Sequence, residues 1–251
     1  MGTMKNLLFL IVLFYITGCS NEKEDMIFHY SVLKALDNGI LEGNMKTGEL
    51  KKHGDFGLGT FNYLDGEMIV LEHIVYRVAP EGKIIKPDDS ALIPYSIITF
   101  YNEDDTLAMT GMINYPALKA FIARRIPSKN IFYAFRIRGN FDSIKCGGAS
   151  RQEMPYVKSL VQMLADRPIY ERKDIKGTLV GFWCPEYIGD INTSGFHLHF
   201  LSDDHSIGGH LMEFTAPALE IGYDTKPVYK ILLPDTETFK KAQFRSDPVN
   251  Y

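Results

Sequence analysis

Between Met26 and Asn38 the apolar residues Phe28, Val32, Leu33 and Leu36 recur at three- and four-residue spacings, the period of one helix face. That spacing predicts an amphipathic helix, which Asn38-Gly39 stops. A shorter helical turn is expected over Met45 to His53, followed by Gly54, Gly57, Gly59 and Gly66 among aromatics, a pattern of tightly threaded backbone entering a strand. Met68 to Val78, Tyr95 to Tyr101 and Ile131 to Ile144 read as strands. Asn114 to Arg125 reads as a helix ending before Ile126-Pro127, and Val157 to Leu164 as a helix opening after Pro155. Beyond Lys173 every piece is strand-like: Gly177 to Cys184, Gly195 to Ser202, His210 to Thr215, Leu219 to Tyr223 and Val228 to Leu233. The order predicts an α+β chain in two parts, a mixed N-terminal sheet region with helices over residues 26–150 and an antiparallel C-terminal sheet over 151–251 that carries the candidate metal site.

Residues 1–25 read as an address. Lys5 precedes the apolar run Leu7 to Ile16, which is too short for an ordinary membrane-spanning helix of about 20 apolar residues. Ile16-Thr17-Gly18-Cys19 resembles the lipobox of bacterial lipoproteins, in which the cysteine is acylated and becomes the mature N-terminus. Ser20 to Asp25 is then an acidic, solvated tether, and the protein is expected to be an exported, membrane-anchored lipoprotein of the periplasm or cell surface. A plain secretory signal, or a start at Met4, is the competing reading.

Composition narrows the function classes. With 251 residues, 45% hydrophobic and 23% charged, the chain has material for a substantial core. Its 27 Lys and Arg against 31 Asp and Glu leave a formal charge of -4, so the cationic footprint of a nucleic-acid-binding protein is missing. Three cysteines are too few for a disulfide scaffold, and Cys146 and Cys184 lack the paired spacing of a thiolate zinc site.

The chemistry concentrates in Phe196-His197-Leu198-His199-Phe200. On a strand, His197 and His199 project from one face and the three apolar residues from the other. Neutral imidazole is a good zinc ligand. Gly208-Gly209-His210 lies one hairpin away, and a turn between Leu201 and Gly209 would bring His210 back beside the pair. An H-x-H pair alone is more often structural or incidental than metallic, and the third histidine at hairpin distance tips the reading to a metal. Three histidines with an open position make a catalytic zinc site, although imidazoles also accept manganese, iron, cobalt, nickel or copper. His205 sits in the presumed turn with Asp203 and Asp204 and is read as a surface residue or a neighbour of the ligands. His29, His53 and His73 show no metal spacing and are read as structural. Glu67, beside Asp65-Gly66, and Arg151 are polar residues whose local sequence by itself reads as a plain turn and a polar loop.

Leu41-Glu42-Gly43-Asn44-Met45, the run from His53 to Asn62, Leu64-Asp65-Gly66-Glu67, Lys176 to Phe182, Pro185-Glu186-Tyr187, and Gly195 to Phe200 followed by Gly208-Gly209-His210 resemble, in order, the α-acetolactate decarboxylase family from about Phe28 to Pro234. The resemblance implies a homodimeric two-part fold holding Zn2+ in its C-terminal half, with no organic cofactor. It also implies conversion of the small anionic substrate 2-hydroxy-2-methyl-3-oxobutanoate (2-acetolactate) to (R)-acetoin and CO2. It places the zinc ligands on His197, His199 and His210, the active-site glutamate on Glu67 and a neighbouring threonine on Thr60.

Two positions depart from the family. The arginine expected to meet the substrate carboxylate falls on Gly147, with Arg151 four residues further on as the candidate replacement, and the acidic residue that members carry in the tail has only Asp247 as a counterpart. A zinc enzyme acting on a related 2-hydroxy or β-keto acid, or an exported, non-catalytic zinc-dependent binding lipoprotein of the same fold, are the alternatives.

Overall fold

The computed structural model describes residues 25–244 apart from Val157. The leader with Cys19 and the tail with Asp247 lie outside the described residues. In chain order the strands are β1 (Met26–Tyr30), β2 (Met45–Lys46), β3 (Phe56–Thr60), β4 (Glu67–Leu71), β5 (Ile74–Val78), β6 (Ile84–Ile85), β7 (Leu92–Ile93), β8 (Tyr95–Thr99), β9 (Asp105–Asn114), β10 (Phe132–Gly147), β11 (Ile169–Cys184), β12 (Gly195–Ser202), β13 (Gly208–Lys226) and β14 (Val228–Leu232). The α-helices are short: α1 (Leu33–Asp37), α2 (Thr47–Leu50), α3 (Tyr115–Ala123), α4 (Leu160–Ala165) and α5 (Glu237–Lys240).

Two sheets carry the fold. The first runs β14-β1-β8-β3-β4-β5-β6 and is mixed because β14 lies parallel to β1 while its other pairings are antiparallel. The second is antiparallel, in the order β10-β11-β12-β13-β9, and it closes because β10 also pairs with β13. Closure covers the edge of β10, leaving β9 at the margin, and the sheet surrounds an aromatic core of Tyr133, Phe135, Phe141, Phe200 and Phe214. The two sheets pack through Phe56, Ile97 and Val78 of the first against Val180, Phe182 and Leu201 of the second.

Three expectations are corrected. The N-terminal helix is instead strand β1, a reversal at Ser31 (φ 70°) and the short α1. Ile27, Phe28, His29 and Tyr30 are all buried, so both faces of the strand are covered and the alternation that marks a strand is missing. The separate strands His210 to Thr215 and Leu219 to Tyr223 are one strand, β13, in which Pro217 occupies the bulge against β9 between Ala216 and Ala218. The division at residue 150 does not follow the sheets, because β9 and β10 belong to the second sheet and β14 returns to the first. Pairing partners distant in the chain, rather than position along it, set that division.

A buried ion pair fastens the connection between the sheets. Lys226 at the end of β13 donates to Asp224 (2.7 Å) and to the Phe100 carbonyl (3.1 Å), and Asp224 also accepts from the Asn102 amide (2.7 Å). Both side chains are fully buried. Burial raises the Asp224 carboxyl to about 6 against the opposing pull of Lys226. Removing one partner strands the other charge in the interior, at a cost of about 3–5 kcal/mol. Lys226→Met is therefore expected to lower unfolding free energy in urea by that amount, and the double variant Asp224→Asn, Lys226→Met to recover most of it; an unchanged single variant would show that the pair does not hold this junction.

Candidate metal centre and pocket

His197 and His199 alternate with Phe196, Leu198 and Phe200 on β12, so the strand pleat alone turns both imidazoles to one face and the apolar side chains toward the core of the closed sheet. The β12–β13 hairpin then sets His199 directly opposite His210. Gly209 has φ 129°, and a Cβ there would stand 2.6 Å from the Gly147 carbonyl oxygen, so only glycine fits the bend that delivers His210. The three ring centroids are 5.1 to 5.5 Å apart, and one ligating atom from each imidazole falls within 4.8 Å of the others.

The imidazoles are held in the form that ligates. Burial drives all three pKa values down, His199 to about 3, His210 to about 4 and His197 well below its ordinary value, with neighbouring imidazoles adding to the shift at His197 and His199 and Arg167 adding to it at His210. Neutral imidazole is the metal-binding state. His199 Nδ1 lies 2.9 Å from the Met68 carbonyl oxygen. A carbonyl only accepts, so Nδ1 carries the proton and the Nε2 lone pair faces the pocket, as in many metal-ligating histidines. His197 Nδ1 is buried without a hydrogen-bond partner among the described residues. An orphaned buried nitrogen, a fixed tautomer and three converging neutral donors fit a divalent transition metal.

The first sheet supplies the opposite wall. Thr60 on β3 pairs with Glu67 on β4, and the Thr60 hydroxyl donates to the Gly66 carbonyl at 2.8 Å, tying the turn that presents Glu67. Glu67 Oε2 stands 3.7 Å from His199 Nε2. Its carboxyl is buried and is pushed up to about 8 by desolvation, against the lowering influence of Arg167. Leu33 and Leu36 of α1, Leu64, and Leu160 and Leu164 of α4 make the apolar rim of a cavity of ≈ 260 Å3 whose polar lining is Thr60, Glu67, Tyr95, Arg167, Thr193 and the three histidines. A larger surface groove of ≈ 480 Å3 over Ser143, Lys173 and Glu213 contains no histidine, so size does not single out the site.

The fold thus gathers Thr60, Glu67, His197, His199 and His210 into one pocket. Arg151 stands elsewhere: it pairs with Asp65 at 3.2 Å, lies 4.4 Å over the Tyr63 ring, and its side chain is 53% exposed. His205 is exposed in the hairpin turn, against Tyr76. His29, His53 and His73 lie outside the triad, bonded to Tyr229, stacked on Phe28 and beside Asp55, respectively. Arg167 and Tyr95 are the pocket residues that sequence reasoning missed. Arg167 falls in Asp166-Arg167-Pro168, just past a helix end, where no motif marks it.

The profile of the α-acetolactate decarboxylase family matches residues 27–246. The chain is 36% identical over 220 residues to the α-acetolactate decarboxylase of Bacillus licheniformis, covering 88% of this chain and 87% of that one. It is 33% identical over 224 residues to that of Methanosarcina mazei, covering 89% and 77%. The crystal structure of the α-acetolactate decarboxylase of Bacillus subtilis strain 168 superposes with a TM-score of 0.85 at 32% identity, over 88% of this chain and 94% of the other.

The buried imidazoles make metal-free stability depend on pH. His29, at about 3, and the triad stay neutral when folded and take up protons only on unfolding once pH drops below about 6.5. Glu67, held protonated in the folded state up to about 8, and Asp224, raised to about 6, oppose them with one proton each. Up to four protons against two means that the urea midpoint of the metal-free protein is expected to fall as pH is lowered from about 6.5 to 5. A flat midpoint over that range would show that the imidazoles are not kept neutral.

Proposed function

The chain belongs to the α-acetolactate decarboxylase family, and on that premise we propose that its three-histidine pocket, loaded with zinc, converts 2-acetolactate to (R)-acetoin and CO2. The observation that carries this reading is the set of three converging imidazoles facing a buried Glu67 across a small apolar-rimmed cavity.

In the reaction the bond between C2 and the carboxylate carbon breaks, and its electron pair moves toward the neighbouring ketone oxygen, leaving an enediolate that must gain a proton at C2. His197, His199 and His210 would hold the zinc, which when bound supplies Lewis-acid stabilisation of negative charge developing on oxygen. Glu67 holds the proton: burial keeps its carboxyl in the acid form at neutral pH, and the turn tied by Thr60 holds it at one side of the pocket, so protonation reaches a single face of C2. The leucine rim limits water, which strengthens each of these interactions and deprives the enediolate of competing proton sources. Tyr95 is anchored by donating to Asn192 Oδ1 at 2.5 Å and fixes the wall beside the histidines.

Export through the segment ending at Cys19, a lipid anchor on that cysteine and a homodimeric assembly belong to the same proposal. The apolar run before Ile16-Thr17-Gly18-Cys19 supports the first two; the family resemblance supports the third.

Zinc-loaded protein given racemic acetolactate is expected to release CO2 and (R)-acetoin. A positioned acid contributes typically 10²–10⁴-fold, so Glu67→Gln is expected to cut turnover by about 100-fold or more with zinc still bound, whereas His197→Ala loses zinc and activity together. Full turnover by Glu67→Gln would remove Glu67 from the proton transfer. For the anchor, Cys19→Ser is expected to shift the protein from the membrane to the soluble fraction of cells and to abolish labelling by radioactive palmitate; unchanged labelling would assign the lipid elsewhere.

A further inference from the structure

Gly147 closes β10 directly opposite His210, which lines the pocket. A Cβ built there would lie 2.8 Å from Arg167 Nε, 2.9 Å from Cδ and 3.1 Å from Cζ. The Arg167 side chain, arriving from the connection between α4 and β11, therefore fills the space that any side chain at position 147 would claim. Its guanidinium group is half-buried, lines the cavity with Glu67 and the three histidines, and has no hydrogen bond or ion pair among the described residues.

No carboxylate of the described residues forms an ion pair with its guanidinium. A permanently charged fork beside an apolar rim, with no resident anion, is complementary to a carboxylate from outside. Arg151, the other arginine near this end of the pocket, is already occupied by Asp65 and Tyr63.

We infer that Arg167 is the residue that binds the substrate carboxylate, standing in the space left by Gly147 and fixing the acid end of a 2-hydroxy acid opposite Glu67. This rests on the decarboxylase reading for the identity of the substrate and extends to any small 2-hydroxy carboxylate that fits the cavity. Because the carboxylate leaves as neutral CO2, its charge is greatest in the ground state. Loss of Arg167 is therefore felt more in KM than in kcat.

The experiment compares wild type, Arg167→Ala, Arg167→Lys and the double variant Gly147→Arg, Arg167→Ala, each as zinc-loaded full-length protein in detergent. Calorimetric titration uses 2-hydroxy-2-methylbutanoate, an acid with no ketone to drive decarboxylation, and the neutral product acetoin; KM and kcat are measured alongside with acetolactate. Charge-assisted bidentate contacts of this kind support a loss of about 10- to 100-fold in acid affinity for Arg167→Ala, with acetoin binding and zinc content unchanged. Arg167→Lys is expected to recover part of the loss and the double variant most of it, since an arginine from β10 then enters the vacated space. Wild-type acid affinity in Arg167→Ala, or an equal loss for acid and acetoin, overturns the inference. Wild-type protein that binds the acid through Arg167 yet leaves acetolactate intact overturns the decarboxylase reading alone.

Discussion

The pairing of β12 with β13 covers only three residue pairs, yet the whole pocket is built around it. Opposite positions in an antiparallel ladder lie about 5 Å apart at Cβ, and the pair His199–His210 inherits its spacing from that geometry. His197, two residues before His199, joins them through the pleat. Slipping the register by one residue would turn both β12 imidazoles into the aromatic core and bring Leu198 and Phe200 into the pocket. What prevents the slip is remote from the site: β11 holds β12 along Gly177 to Cys184, and β10 grips β11 on one side and β13 on the other. A closed ring of pairings leaves no strand free to shift alone.

Glycine fixes two further dimensions of the pocket. Gly209 accepts a left-handed conformation pressed against the Gly147 carbonyl, and Gly147 gives up its side-chain volume to Arg167. At these positions the missing side chain makes room for backbone on one side and for a charge on the other. The first sheet then contributes chemistry without contributing a histidine. Its β3–β4 turn, tied by the Thr60 hydroxyl, brings Glu67 to the face of His199.

The histidine triad was legible because its two signals are local. Alternation on a strand and a hairpin's worth of residues can both be counted along the chain, and the ladder pairs His199 with His210 as that count expects. Glu67 was legible only through resemblance, since Asp65-Gly66-Glu67 by itself is a turn. The replacement of a strand by a helix at Met26 has the opposite cause: β1 is buried on both faces between β14 and β8, so its hydrophobic pattern carries no period of two. Arg167 was illegible because it lies 20 residues beyond Gly147 in the chain and meets it only through the antiparallel return of β11 beside β10, where Gly147 pairs with Ile169. Arg151, nearer in sequence, is held away by Asp65.

That difference shows what a binding site conserves in physical terms. An anion needs a fork of donors at a place and an angle, and the chain segment that supplies the fork is immaterial so long as the volume is free. With no side chain at Gly147, an arginine from the neighbouring strand connection reaches the volume beside His210. The charge distribution follows. Burial disfavours charge on the imidazoles and on Glu67, whereas the Arg167 guanidinium in the same lining keeps its charge. In a small cavity rimmed by leucines that positive charge is poorly screened and adds to that of a bound metal ion, so the field favours entry of an anion before any specific contact forms. Glu67 gains from the same arrangement: a carboxyl that stays protonated beside a cation must be strongly desolvated, and the leucines of α1 and α4 that desolvate it also confine the substrate. Apolar packing at the rim therefore sets the protonation state of the acid, while the glycine on the floor sets the position of the charge.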